Sequence, residues 1–241
     1  VAHSRSNSGG DVEWGHPFLA QDDILAYIAN GSAGVWKDDP RRNETARRLH
    51  RAGHQFRSAS PQPIGAYPVL DDGSCTHMSD VMAHAIGEAL METNDPEQAI
   101  AKAFLETPSE IVGLYVTPRH PCAVFGARWN MPACAAMDDD GVYVASSPDG
   151  FPAGVRWRTW LPPSSVFRVE RGRVSVSPLG PPNGAIAATV DLAKAREAIL
   201  DALQSGEEMG VGELNKRMDG LAGDASPAVR YDPVYETLHR L

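Results

Sequence analysis

Cysteine is scarce in this sequence. Cys75, Cys122 and Cys134 are too few and too far apart for a CxxC metal knuckle or redox pair, and an odd number closes no disulfide set. A reducing, cytoplasmic setting is therefore expected. No run approaches the ~18 apolar residues that cross a bilayer. A charged segment followed by an apolar one, the mark of a secretory signal, is also missing, so no membrane partner is expected. Cations are outnumbered, with 22 Lys and Arg against 31 Asp and Glu and a net charge of −9. Such a chain lacks the overall field that draws a protein to nucleic acid or anionic lipid, although a local basic patch stays open. There is no internal repeat and no low-complexity tract. The chain starts with Val1 and stops at Leu241 inside a helical pattern, and it is expected to be a piece of a longer reading frame.

What remains is a globular composition. Of 241 residues, 42% are apolar and 22% charged, enough for a real core, while 22 Gly and 19 Pro announce many turns. Residues 24–29 read as a buried strand closed by Asn30-Gly31. Residues 40–52 read as an exposed helix whose Arg41, Arg42, Arg47, Arg48 and Arg51 form a solvated face or, less simply, meet a phosphate. Ser79 is placed to cap a second helix with Val81, Met82, Ile86, Ala89 and Leu90 in one stripe. Asp95-Pro96 opens a third. Short runs at 111–117, 122–127, 133–137, 142–146, 165–170 and 173–177 read as an antiparallel meander. Grouped helices followed by grouped strands predict an α+β fold. Residues 178–184 have linker composition. Beyond them Asp191 caps a helix bearing Leu192, Ala195, Ile199, Ala202 and Leu203, residues 210–218 give a second, and Asp232-Pro233 a third. These three helices read equally as a helix-turn-helix or winged-helix unit that contacts DNA and as a plain appendage.

Several residues bear on chemistry. Asn30-Gly31 at a strand end can aim a carboxamide and a backbone N–H at one point, the requirement of an oxyanion hole, and is also an ordinary turn pair. The opening segment, His3 to Gly10, can present Arg5 to a carboxylate among small residues, and can equally be a frayed loop. His77, Asp80 and His84 share a helix side at metal-like spacing, but a polar capping region explains them without a metal. Asp138-Asp139-Asp140-Gly141 reads as a hairpin tip, and Trp157 and Trp160 as a sheet edge or a stacking platform.

Taken in order, HSRSNSGG at residue 3, GHPF at 15, IANG at 28, AGHQF at 52, VMAHAI at 81 and the strands containing GLYV, ARWNMP and VYVASS resemble the class II glutamine amidotransferase domain. The likeness spans residues 2–177 and is greatest to the glutaminase half of glucosamine-6-phosphate synthase, an N-terminal-nucleophile hydrolase. The resemblance implies a four-layer αββα sandwich followed by a linker at 178–190 and a small helical module at 191–241. It implies hydrolysis of glutamine to glutamate and ammonia, with neither metal nor cofactor. Arg5 takes the role of the α-carboxylate ligand, with Ser8 beside it, Asn30 and Gly31 stabilise the oxyanion, and Gly15-His16-Pro17 is a structural turn. Met78 stands where the family has the aspartate that binds the substrate ammonium, and Asp80, two positions on, is the substitute. Ser6 and Gly9 also depart from the family's tryptophan and histidine. The family's nucleophile is an N-terminal cysteine whose own amine is the base, so the resemblance places it before Val1, and the chain as given is expected to be inactive. Two further expectations keep the fold: a non-catalytic ligand-binding or regulatory module joined to DNA-binding helices, and a hydrolase of another amide.

Overall fold

The computed structural model describes residues 1–3, 10–31, 36, 38–107, 109, 111–129, 131–180, 192–206, 208–217, 234 and 238. Among them lie the strands β1 (Phe18–Leu19), β2 (Ala26–Asn30), β3 (Val112–Val116), β4 (Ala123–Arg128), β5 (Cys134–Met137), β6 (Val142–Ala145), β7 (Trp157–Trp160), β8 (Ser165–Glu170) and β9 (Arg173–Pro178). The helices are α1 (Arg41–Arg51), α2 (Met78–Thr93), α3 (Pro96–Glu106), α4 (Leu192–Gln204) and α5 (Val211–Arg217). The fold is α+β. Every described strand pairing is antiparallel, in a six-stranded sheet of order β1-β2-β3-β4-β8-β9 and a three-stranded sheet of order β6-β5-β7.

Two cores give three layers. Because side chains alternate along a strand, Tyr27, Ala29, Tyr115, Phe125 and Ala127 face the helices and pack with Val81, Ile86 and Ile100. Their neighbours Val112, Phe167 and Val169 face the other way and pack with Ala133, Ala135 and Leu161 of the smaller sheet. The middle of the large sheet is thus covered on both faces, which is why β3 and β4 are apolar nearly throughout, whereas the edge strand β9 is largely exposed. Gly113 and Gly126 in β3 and β4 leave room for the Tyr27 and Phe167 rings, and a Cβ at either would overlap the ring. No described helix is long and apolar enough to cross a membrane.

The helices differ from the sequence reading in instructive ways. The stripe on α2 is buried, but so is everything else from Met78 to Gly87, because α2 lies between its neighbours α1 and α3 and the strands β1 and β2. Its cap is His77, whose ring accepts from the Ser79 N–H at 3.1 Å, rather than Ser79 itself. Asp95 caps α3 as expected, accepting from the N–H groups of Glu97 and Gln98. The arginines of α1 are not a free solvated face. Arg42 is buried and donates to the Trp36 carbonyl, and Arg47 donates to Val69 O at 2.9 Å. Arg51 makes a two-pronged pair with Asp71 at 2.6 and 2.8 Å, and Arg48 pairs with Glu88 at 2.6 Å. Guanidinium groups with five donors staple the loop between α1 and α2 onto α1.

Strands β1 and β7 carry no readable strand period, the first because it has two residues and the second because its two tryptophans are separated by two polar residues. β7 is an edge of the smaller sheet, as the edge reading of Trp157 and Trp160 required. The acidic tip between β5 and β6 is a hairpin turn in which Asp138 Oδ1 accepts from the N–H of Asp140 and Gly141. Ala195, Ile199 and Ala202 of α4 bury a separate cluster with Leu214 and Val234, while Leu203, assigned to that stripe, is 40% exposed. Asp191, residues 181–190 and most of 232–241 lie outside the described residues.

Candidate functional site

At its C-terminal end β2 brings Asn30 opposite Val112, and Ile28 opposite Leu114. By alternation both residues of β2 stand on the side of the smaller sheet. They line a cavity of about 310 Å³ between the two sheets, with Ala133, Val144 and Ser146 across from them and Ala2 and His3 beside the mouth. Asn30, Gly31 and Ser146 are exposed there. Asn30 of the expected oxyanion pair thus lines an accessible cavity, and Gly31 follows it at the exposed strand end. Arg5 and Ser8, the expected carboxylate ligands, lie outside the described residues, as do Ser6 and Gly9. The segment immediately before them reaches this cavity through His3.

His3 is held by a series of rings. It meets His16 with centroids 4.2 Å apart, and His16 meets Phe18 at 5.0 Å and His77 at 5.5 Å. His77 in turn is flanked by Trp14 at 5.3 Å, Tyr67 at 4.9 Å and Phe18 at 5.1 Å. The His16-Pro17 bond is cis. Arg57 lies over Phe18, 4.8 Å from the ring centre, and donates to the carbonyls of Glu13 and Gly15, closing the turn from outside. The expected structural role of Gly15-His16-Pro17 fits this arrangement.

Asp80 stands elsewhere. It is 1% exposed beneath the cap of α2, where Oδ2 accepts from both the N–H and the hydroxyl of Ser58, each at 2.8 Å. The same hydroxyl accepts from the His77 N–H and contacts Thr76 Oγ1, each at 2.8 Å. His84 Nε2 is 3.6 Å from Asp80 Oδ1, and its Nδ1 is 2.9 Å from Nδ1 of His54. Burial pushes Asp80 up to about 6 against the donors on Ser58 and pushes His84 down to about 4. The carboxylate expected at the substrate ammonium is therefore an internal group in this arrangement, and the polar side of α2 is buried instead of capping in solvent. No set of three His, Cys, Asp or Glu able to hold a metal occurs among the described residues.

Sequence reasoning missed the coupling of His54 to His84, since residues thirty apart carry no spacing signal. It also gave His3 no role of its own. The reading of the cysteines as space-filling holds for Cys134. Its thiol donates to Ala145 O at 3.2 Å, and burial pushes its pKa up to about 12, far from a thiolate.

No protein-family model and no curated protein matches the sequence. Solved structures match in fold. Glutamine phosphoribosylpyrophosphate amidotransferase from B. subtilis, complexed with ADP and GMP, aligns with TM-score 0.52 and 16% identity over 80% of this chain and 37% of that one. The allosteric regulatory enzyme of purine biosynthesis aligns with TM-score 0.51 and 15% identity over 95% and 47%. A glutamine aminotransferase class-II domain protein from Silicibacter pomeroyi reaches TM-score 0.46 at 15% identity over 71% and 73%. This chain thus has the fold of the glutamine amidotransferases, and it spans less than half the length of the first two structures.

Proposed function

We propose that this chain is the glutamine-hydrolysing domain of a cytoplasmic class II amidotransferase, releasing ammonia for transfer to an acceptor. Asn30 at the cavity mouth carries the reading: its carboxamide and the Gly31 N–H stabilise the tetrahedral oxyanion formed from the substrate amide. Arg5 and Ser8, following His3, hold the substrate carboxylate. Asp80 acts from beneath, fixing Ser58 and through it the His77 cap on which the His16 and His3 rings rest. The attacking group is a cysteine thiolate with a free α-amine, whose ordinary pKa of ~7.7–8.0 suits a base at neutral pH. The thiolate adds to the amide carbon, the amine's proton goes to the departing ammonia, and water then cleaves the thioester to glutamate. In this reading that cysteine is none of Cys75, Cys122 and Cys134, because each is bonded on both sides in the chain and has no free α-amine. The family's αββα sandwich adds a second helical layer over the smaller sheet to the three layers of the described residues, and in this reading 178–190 is a linker and 191–241 a helical module.

A glutaminase assay on the full-length protein tests the reading. Glutamate and ammonia are expected, and both are lost when the N-terminal cysteine is replaced by alanine; an intact protein that forms neither rejects it. The burial of Asp80, the residue expected at the substrate ammonium, favours a second reading, a ligand-binding module without catalysis. Calorimetric binding of glutamine without turnover is its signature.

A further inference from the structure

We infer that His54, His84 and Asp80 form a relay that carries one proton from solvent to the buried Asp80 carboxylate, with both imidazoles neutral before and after. Asp80 Oδ2 is occupied by the two donors of Ser58, whereas Oδ1 is buried with no hydrogen-bond partner. Oδ1 faces Nε2 of His84 at 3.6 Å, and Nδ1 of His84 meets Nδ1 of His54 at 2.9 Å. Asp80 and His84 are 1% and 3% exposed, while His54, just beyond the end of α1, is half-buried and is the outer member of the series.

Two ring nitrogens at this separation hold one hydrogen between them. With Asp80 ionised, a hydrogen on His84 Nε2 faces the carboxylate. Nδ1 of His84 is then the acceptor, and the shared hydrogen belongs to His54. A proton arriving from solvent bonds to His54 Nε2. The shared hydrogen passes from His54 Nδ1 to His84 Nδ1, and the hydrogen on His84 Nε2 passes to Asp80 Oδ1. One proton has entered, the carboxylate has become a carboxylic acid, and each imidazole has changed tautomer.

The surroundings favour that end state. Burial pushes Asp80 up to about 6, against the donors of Ser58 and the charge of Arg57. Burial and the neighbouring His54 push His84 down to about 4, against the Gln55 backbone. Burial also lowers His54, on which Glu88 and Arg48, themselves paired at 2.6 Å, act in opposite directions. Phe56 stands edge-on to the His84 ring at 5.2 Å. The proton therefore rests on the carboxyl group and not on a ring. Once neutral, Asp80 is a weaker acceptor for Ser58, whose hydroxyl accepts from the His77 N–H at the start of α2.

Nitrogen-15 NMR of the histidine rings in the 241-residue chain, titrated through about pH 6, tests the relay, because bare and protonated ring nitrogens are resolved. His54 and His84 are expected to change tautomer together with one midpoint at about 6, neither ring gaining charge, and the Ser58 and His77 amide protons to shift with them. Asp80→Asn is expected to abolish that midpoint and to hold His84 in one tautomer. A charged ring at the midpoint, a tautomer change in one of the two histidines alone, or a midpoint that survives in Asp80→Asn overturns the inference.

Discussion

His3 and His16 lie ring against ring, 4.2 Å between centroids, and this contact ties the cavity to the helical side of the molecule. His3 lines the cavity, whereas His16 also meets His77 at the start of α2. Replacing His16 by leucine keeps apolar bulk beside Phe18 but loses the ring pair. In the full-length protein, KM for the amide is expected to rise about fivefold with kcat nearly unchanged, as befits a positioning residue. Steady-state kinetics separate the two constants, and a change confined to kcat speaks against this role.

Asn30→Ala removes from an exposed strand end the carboxamide proposed above to stabilise the oxyanion. We expect kcat of the full-length protein to drop by about 10²- to 10³-fold with little change in thermal stability. Turnover within threefold of the parent would mean that the donors lie elsewhere.

Asp80 and His84 set opposing pH dependences. Asp80 is raised from 3.8 to about 6, so between these values the folded protein keeps a proton that the unfolded chain has released, and stability falls as pH rises. His84 is lowered from 6.5 to about 4, so over that window the unfolded chain binds the extra proton and stability rises with pH. The two nearly offset each other in the parent. Asp80→Asn keeps an acceptor for Ser58 and leaves the His84 contribution alone. Urea unfolding of this variant should show stability climbing by roughly 3 kcal/mol between pH 4 and 6.5. A slope no steeper than the parent's contradicts the assignment of Asp80.

Gly126 and Gly141 differ in what surrounds them. A methyl group at Gly126 would overlap the Phe167 ring, whereas at Gly141 it meets nothing within 4 Å. Gly126→Ala is expected to destabilise by about 1–3 kcal/mol, and Gly141→Ala by less than about 0.5 kcal/mol. Equal unfolding midpoints for the two variants would show that Phe167 yields without cost.

Ser58→Ala strips a hydroxyl that donates to Asp80 and accepts from the His77 N–H, leaving buried polar groups short of partners. The expected cost is about 1–3 kcal/mol, read from urea unfolding. A neutral result would mean that water replaces the hydroxyl.

The elements were legible because their signals are local. Asp95-Pro96 closes its own cap within three residues, Asp138 folds its own hairpin tip, and the short β-branched and aromatic runs 111–117 and 165–170 mark strands without reference to partners. The end of β2 at Asn30 was legible in the same way. What a side chain meets across the fold was not. The arginines of α1 read as solvated because their sequence neighbours are polar, yet loop 53–77 returns to accept from them. Asp80 read as accessible because it starts a helix, but α2 is enclosed by α1, α3 and two strands, and burial depends on elements distant in the chain. Local sequence alone specifies the Asp95 cap, the Asp138 hairpin tip and most of the strand order, while β1, β7 and the His77 cap of α2 needed the folded chain. Tertiary structure alone decided that Asn30 shares a cavity with His3 and Val144, and that Asp80 holds its proton to about pH 6. Backbone preference acts over a few residues, whereas solvation and close contact are properties of the whole packed chain.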